Sequence, residues 1–357
     1  MKSRRLRTVF IIAAECAILW GFCETIGYFV IRHKEANRPT GMFAENIINF
    51  TEPLLDFALR KSASETMGGG WSVKTNFLGF RDTSELPREK PKDEYRLFVV
   101  GGSTVFGWGV NEEESMPAHL QRLVPTANGK RVRVINTGVP WYASWNEAAM
   151  IFHRVLRLNP DHVVVFNGLN DVAKSLAPNW SPIYEGYADI PTRLAFQKRT
   201  EHASSGNHIF DLFRLSPTLS YFITKRKIKS QMETGVLHPE VWDQYIEYMT
   251  SLKDIVEKRG IAFSLFYQPV IVTGKTLTDE EKARNESMTR VAGFAETFRE
   301  AYLTGEKTLT AHPRLKVTSL KNLFENEAGL IYLDGLHYND KGNRLVAEAI
   351  AKRLALH

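Results

Sequence analysis

Cysteine is nearly absent from this chain: two occur in 357 residues, Cys16 and Cys23. Both fall in one apolar run, so no disulfide framework staples the remainder and no Cys/His spacing suited to a metal is available. No cofactor or metal is expected. Clustered basic charge is also scarce. The formal net charge is +6, yet the basic residues are dispersed apart from Lys2, Arg4, Arg5 and Arg7. No nucleic-acid motif accompanies them, which excludes a nucleic-acid partner and leaves anionic lipid headgroups as the better use of that basic tip. Long apolar runs are missing with one exception, residues 9–30.

Those 22 positions would form a helix of about 33 Å, enough to span a bilayer. No small-x-small cleavage site follows a compact apolar core, so the run reads as an uncleaved single span rather than a removed signal peptide. Four basic residues precede it, against Arg32, Lys34 and Arg38 with Glu35 after it. The bias favours a cytoplasmic N-terminus. The rest of the chain is then expected in the periplasm or outside, on a single-pass protein of the inner membrane. Glu15 and Glu24 sit inside the span, nine residues and so roughly half a helical revolution apart. Either they face lipid or the interface in protonated form, or at least one pairs with a donor on a multi-span membrane partner.

Beyond the span the composition is that of a globular protein, 43% hydrophobic and 24% charged. Taking residues 1–34 as cytoplasmic tip and span, residues 35–92 lack a clear period and end in a charged, proline-containing stretch, as a stalk and collar would. From 93 to 357 strand-like runs (95–100, 132–135, 162–166, 262–267, 315–317) alternate with helix-like stretches (113–123, 144–158, 239–258, 279–302, 340–354). That alternation predicts an α/β fold, a three-layer doubly wound parallel sheet with helices on both faces. Residues 172–238 interrupt it. Rich in aromatics and prolines and then in basic residues, they read as an insertion over the crevice, either a sugar or acyl-chain site or a hydrophobic lid.

Two short motifs bracket this domain. Near its start Leu97-Phe98-Val99-Val100-Gly101-Gly102-Ser103-Thr104 sets a hydroxyl just past an apolar strand, where a glycine-rich turn lifts it out of the sheet. Near the C-terminus Asp334-Gly335-Leu336-His337 sets a carboxylate three residues before an imidazole, close enough to hold the ring nitrogen facing away from the serine. Together they read as a split Ser-His-Asp triad. Between them, Asn136-Thr137-Gly138 and Gly168-Leu169-Asn170-Asp171 each follow a strand. The carboxyl ends of successive strands open onto one crevice, so the N–H of Ser103, the N–H of Gly138 and the side-chain amide of Asn170 are expected to form an oxyanion hole. Asp171 is expected to be structural, because a carboxylate beside that hole would oppose the developing charge.

In this order Ser103, Gly138, Asn170 and the Asp334/His337 pair resemble the four sequence blocks of the SGNH/GDSL hydrolase superfamily, over roughly residues 95–357. Gly102 stands where the family usually has Asp. The resemblance implies a flavodoxin-like fold and a serine esterase acting through an acyl-enzyme on Ser103. Its substrate would be O-acyl esters on an envelope glycan or lipid. Membrane-anchored relatives that look like partners of multi-span acyltransferases imply acyl transfer as an alternative, and a non-catalytic subunit of a membrane complex is a third. Asn76-Phe77-Leu78-Gly79-Phe80-Arg81 resembles the segment often found before the first block in anchored members, for which packing against the domain is the favoured role.

Overall fold

The computed structural model describes residues 47–176, 238–288 and 294–356, apart from positions 50, 51, 53, 83 and 88, together with Trp20, Gly21 and Thr25. The chain divides into two units, Met1–Gly41 with Pro191–Glu233 and Met42–Ile190 with Thr234–His357. Nearly all described residues belong to the second. Most of the expected span and most of the 172–238 insertion lie outside the described residues. Among the described residues no helix is long and apolar enough to cross a membrane.

The second unit opens with two small antiparallel pairs, β1 (Ile48–Asn49) with β2 (Ala58–Leu59) and β3 (Ser64–Thr66) with β4 (Ser72–Lys74). Strand β5 (Glu94–Gly101) then leads into a single helical turn, α1 (Ser103–Phe106). After it come α2 (Met116–Leu123), β6 (Thr126–Ala127), β7 (Lys130–Asn136), α3 (Ser144–His153), β8 (His162–Asn167) and α4 (Leu169–Ser175). The chain resumes with α5 (Glu240–Lys258), β9 (Ala262–Tyr267), α6 (Asp279–Met288), α7 (Phe294–Ala311), β10 (Thr318–Ser319) and α8 (Asp340–Leu354).

Six strands form one sheet in the order β10-β9-β8-β5-β7-β6, all parallel except the antiparallel edge β6. Numbered along the chain, the five parallel strands lie 2-1-3-4-5, the flavodoxin-like arrangement. The winding reverses between β5 and β8, and ligands of such sheets bind outside the carboxyl ends at that reversal. Period-two alternation explains the layers. Phe98, Val100, Val163 and Val165 enter one apolar cluster with Trp242, Tyr245 and Met249 of α5 and Tyr302 of α7. Leu97, Val99, Val164 and Phe166 enter the other with Met116 and Leu120 of α2 and Val346 and Ile350 of α8. All eight residues of β5 are buried, as expected of a central parallel strand covered on both faces.

Local chemistry sets several boundaries differently from the sequence expectation. The helix expected from 113 starts at Met116, because Ser115 caps it by accepting from the Ala118 amide and Pro117 occupies its first turn. The one expected to run to 158 ends at His153 and continues as a 3-10 turn, Val155–Leu158. Helix α7 runs on to Ala311 through Gly305, whose absent side chain makes room for the Trp242 indole, 2.3 Å from where a Cβ would stand. The strand expected at 315–317 lies instead at Thr318–Ser319, since Lys316 has φ 53 and cannot extend.

The segment expected as stalk and collar packs, over residues 47–86, into the first apolar cluster. Leu55, Phe57, Leu59, Trp71, Val73, Phe80 and Leu86 are buried there. Phe80 meets Phe98 of β5 edge-on at 6.4 Å, and the Tyr142 hydroxyl donates to the Phe57 carbonyl at 2.6 Å.

Candidate active site

Strand β5 ends at Gly101, and Gly102 turns the chain so that Ser103 begins α1. The Ser103 carbonyl accepts from the amides of Gly107 and Trp108, which closes this turn. As the first amide of the turn, the Ser103 N–H has no acceptor within it. The Ser103 hydroxyl lies 2.7 Å from His337 Nε2, across 234 residues of sequence. His337 Nδ1 lies 2.7 Å from Asp334 Oδ2. The other carboxylate oxygen accepts from the backbone amides of Leu336 (2.7 Å) and His337 (2.8 Å), which locks the four-residue loop around the acid. Desolvation disfavours the Asp334 charge, but the His337 ring and these hydrogen bonds outweigh it and hold the carboxyl below its ordinary range. The Trp108 ring packs 6.0 Å from the imidazole, with the planes 33° apart.

The two loops between these ends lean on the same turn. Thr137 N–H donates to Val99 O and Val139 N–H to Gly101 O, stitching the loop after β7 to the end of β5. Gly138 sits against α1: a Cβ there would stand 2.2 Å from the Phe106 amide nitrogen. Asn170 Nδ2 donates to Tyr142 O at 2.6 Å and lies 2.5 Å from where a Gly102 Cβ would be. An amide group carries two N–H donors, so one remains for a ligand oxygen. Ser103, Gly138 and Asn170 therefore meet at the carboxyl ends of β5, β7 and β8. One expectation is altered. The Gly138 N–H donates to Asn136 Oδ1 at 3.0 Å, an Asx turn in which a short side chain takes the amide two residues on. In this arrangement the donors left for an oxyanion are the Ser103 N–H and the second Asn170 proton.

Asp171 faces away from that crevice. Its Oδ1 accepts from the amide and hydroxyl of Ser144 at 3.1 and 2.6 Å. Burial pushes it above the usual carboxylate range, and burial together with the Asp171 charge pushes neighbouring Glu147 well above it. Glu147 accepts from the Asn167 amide, whose oxygen in turn accepts from the Tyr245 hydroxyl at 2.7 Å.

Other residues of this site are not evident from motifs. Val139-Pro140-Trp141-Tyr142 forms a turn closed by Tyr142 N–H to Val139 O at 3.1 Å, with Trp141 at φ 73 where glycine is the usual residue. This turn presents the carbonyl that holds Asn170. Glu281 of α6 accepts from the amides of Ile331 and Tyr332, and Arg284 donates to the carbonyls of Tyr332 and Leu333 at 3.1 and 2.7 Å, so one helix cradles the backbone leading into Asp334. The Pro-Trp pair carries a local turn signal. The α6 contacts, some 50 residues away in sequence, carry none. Among the described residues no group of three or more His, Cys, Asp or Glu side chains is arranged to hold a metal ion.

No protein-family model and no curated protein matches this chain. Solved structures similar to it include a lipolytic protein of the G-D-S-L family from Desulfitobacterium hafniense, at 14% identity and TM-score 0.39, covering 72% of this chain and 98% of that one. The acetylxylan esterase Axe2 from Geobacillus stearothermophilus, as a catalytic mutant, is similar at 14% identity and TM-score 0.39, covering 74% and 95%. A lipolytic G-D-S-L protein from Veillonella parvula is similar at 10% identity and TM-score 0.37, covering 72% and 97%.

Proposed function

We propose that this protein is a membrane-anchored serine esterase of the SGNH type, cleaving O-acyl esters on an envelope glycan or lipid. What supports ester chemistry is the hydrogen-bonded line from Asp334 through His337 to Ser103, 2.7 Å at each step. In the reaction Ser103 Oγ attacks the acyl carbonyl while His337 Nε2 takes its proton, and Asp334 steadies the imidazolium through Nδ1. The carbonyl oxygen, now negative, is met by the Ser103 N–H and the free Asn170 amide proton. Collapse expels the alcohol, which receives the proton from His337 and leaves the acyl group on Ser103. Water then enters, loses a proton to His337 and attacks the acyl carbon, and Ser103 departs with its proton restored.

The anchor and an outer location rest on the apolar run at 9–30 and the charges flanking it, and a multi-span membrane partner on Glu15 and Glu24 within that run. Labelling of membranes with a fluorophosphonate tests the nucleophile without a known substrate. Wild-type protein is expected to label, and Ser103→Ala to stay unlabelled. On a simple acetate ester, Ser103→Ala and His337→Ala should each lose several orders of magnitude in turnover, and the double variant should be hardly worse than either, since triad members act as a unit. Labelling of Ser103→Ala, or additive losses, would sink the assignment.

A further inference from the structure

Arg81 is fully buried yet belongs to the segment before the sheet. A tight turn aims it inward: Asn76 Oδ1 accepts from the amides of Leu78 (3.0 Å) and Phe80 (3.1 Å), and Gly79 takes φ 76 against the Leu59 carbonyl. Among the described residues no ion pair joins its guanidinium to a carboxylate. Instead Nη1 donates to the carbonyls of Phe106 and Gly107, both at 2.6 Å, and Nη2 to those of Val110 (2.6 Å) and Ser72 (3.1 Å). The cation lies 4.6 Å over the Phe106 ring and 5.5 Å over the Trp71 ring. Desolvation brings Arg81 down to about 10, with Glu112 and Glu113 acting in the opposite sense, so the group remains charged at neutral pH.

The carbonyls it gathers belong to the nucleophile's own turn. Helix α1 has one turn and is capped by Gly107, φ 86, so its last carbonyls have no acceptor role within a helix; apart from Arg81 they meet only long contacts, the Val110 amide on Gly107 O and Asn136 Nδ2 on Phe106 O, both at 3.4 Å. Trp108, inside the gathered loop, donates its amide to Ser103 O and lays its ring against His337. The Phe106 carbonyl also faces Asn136 Nδ2 at 3.4 Å, and Asn136 holds the Gly138 amide. One planar fork thus holds the backbone of the nucleophile's turn on either side of Trp108, the residue packed against the base, and shares the Phe106 carbonyl with Asn136 at the end of β7.

We infer that Arg81 is a positioning residue for the Ser103 reaction, fixing the nucleophile's turn and the Trp108 wall in the register that lets Ser103 and His337 meet. The inference rests on the serine reading above. A lysine cannot replace it, because an ammonium lacks the planar fork that bridges several carbonyls at once. Misplacement of reacting groups by about 1 Å costs on the order of 10²-fold in rate.

The test uses the full chain in detergent, with Arg81→Met, Arg81→Lys, Arg81→Ala and Ser103→Ala, and acetate-ester turnover expressed per site that finally labels with fluorophosphonate. Arg81→Met and Arg81→Lys are expected to lose about 100-fold in kcat per labelled site with KM within about twofold. Guanidinium at non-denaturing concentration should restore part of the kcat of Arg81→Ala, and methylammonium should not. Unchanged kcat per labelled site, or a loss matched by loss of labelled sites, would reduce Arg81 to a packing residue and overturn the inference. Turnover retained by Ser103→Ala would instead remove the serine reading itself, a separate failure that the Arg81 variants cannot mimic.

Discussion

Two glycines beside Ser103 separate what orients the site from what holds it together. At Gly102 an added Cβ meets the far end of the Asn170 side chain, 2.5 Å away, which can yield by rotating, and the Tyr142 carbonyl oxygen at 3.1 Å, which need give only a few tenths of an ångström. At Gly138 it meets backbone, the Phe106 nitrogen at 2.2 Å, which cannot move without α1. Gly102→Ala is therefore expected to keep its thermal midpoint and lose kcat by displacing the Asn170 donor. The loss should approach the 10²- to 10³-fold cost of Asn170→Ala, a typical value for one oxyanion donor. Gly138→Ala should unfold at lower temperature instead. Parallel melting curves and kcat values check both; a destabilised Gly102→Ala with normal kcat would reverse the assignment.

Helix α6 shows what an element contributes at a distance. Glu281 accepts from Lys275 Nζ at 2.7 Å and from the Thr278 amide on one oxygen, and from the Ile331 and Tyr332 amides on the other. Desolvation opposes its charge, but these donors more than offset it and bring the carboxyl down to about 2. A carboxylate depressed on folding adds stability above its unfolded value of about 4.3 and loses it as pH falls toward 2. Glu281→Gln should cost about 3–5 kcal/mol at neutral pH, because it strands the buried Lys275. It should also flatten the stability profile between about pH 4.3 and 2, and urea titrations across that range measure both effects. Little of this could be read in advance. The cores of β5 and β8 were legible because strands buried on both faces are rich in continuous apolar residues, and β7 and β9 were legible from the shorter apolar runs within them. The Ser103 and Asn170 loops were legible because each follows its strand directly, and the His337 loop because its carboxylate and imidazole lie three residues apart. Strand β10 was not, having two residues and no run of its own. Nor were the roles of Arg81 and Asn136, whose partners are backbone groups that any sequence would offer, or the hold of Glu281 on the Ile331 and Tyr332 amides. A polar side chain bound to backbone leaves no matching residue in the sequence to signal the pair.

At the scale of the whole unit, the two ends of the sheet do different work. The carboxyl ends gather the reactive groups, and the amino ends are closed by a buried polar lock. There Arg96 Nε donates to Glu94 at 2.7 Å and its Nη atoms to the carbonyls of Leu158 and Pro87, while Asp161 accepts from the Arg96 amide and from Lys90. His162, opening β8 at this end, contacts Ser264 Oγ at 2.9 Å, and burial drives it down to about 4. The unfolded chain then takes up a proton that the folded one refuses, so stability should fall as pH drops from about 6.5 to about 4 and level off below. His162→Leu is expected to remove a slope worth on the order of 3 kcal/mol, while an unchanged slope would place the proton uptake elsewhere. The 234 residues separating Ser103 from His337 have a consequence in time as well as space. At ribosomal speeds of about 5–20 residues per second, a growing chain carries its nucleophile for roughly 10–50 s before its base has been made. Throughout that interval the serine is an ordinary alcohol. A serine whose base is made only near the end of the chain is thereby kept chemically silent through most of its own synthesis.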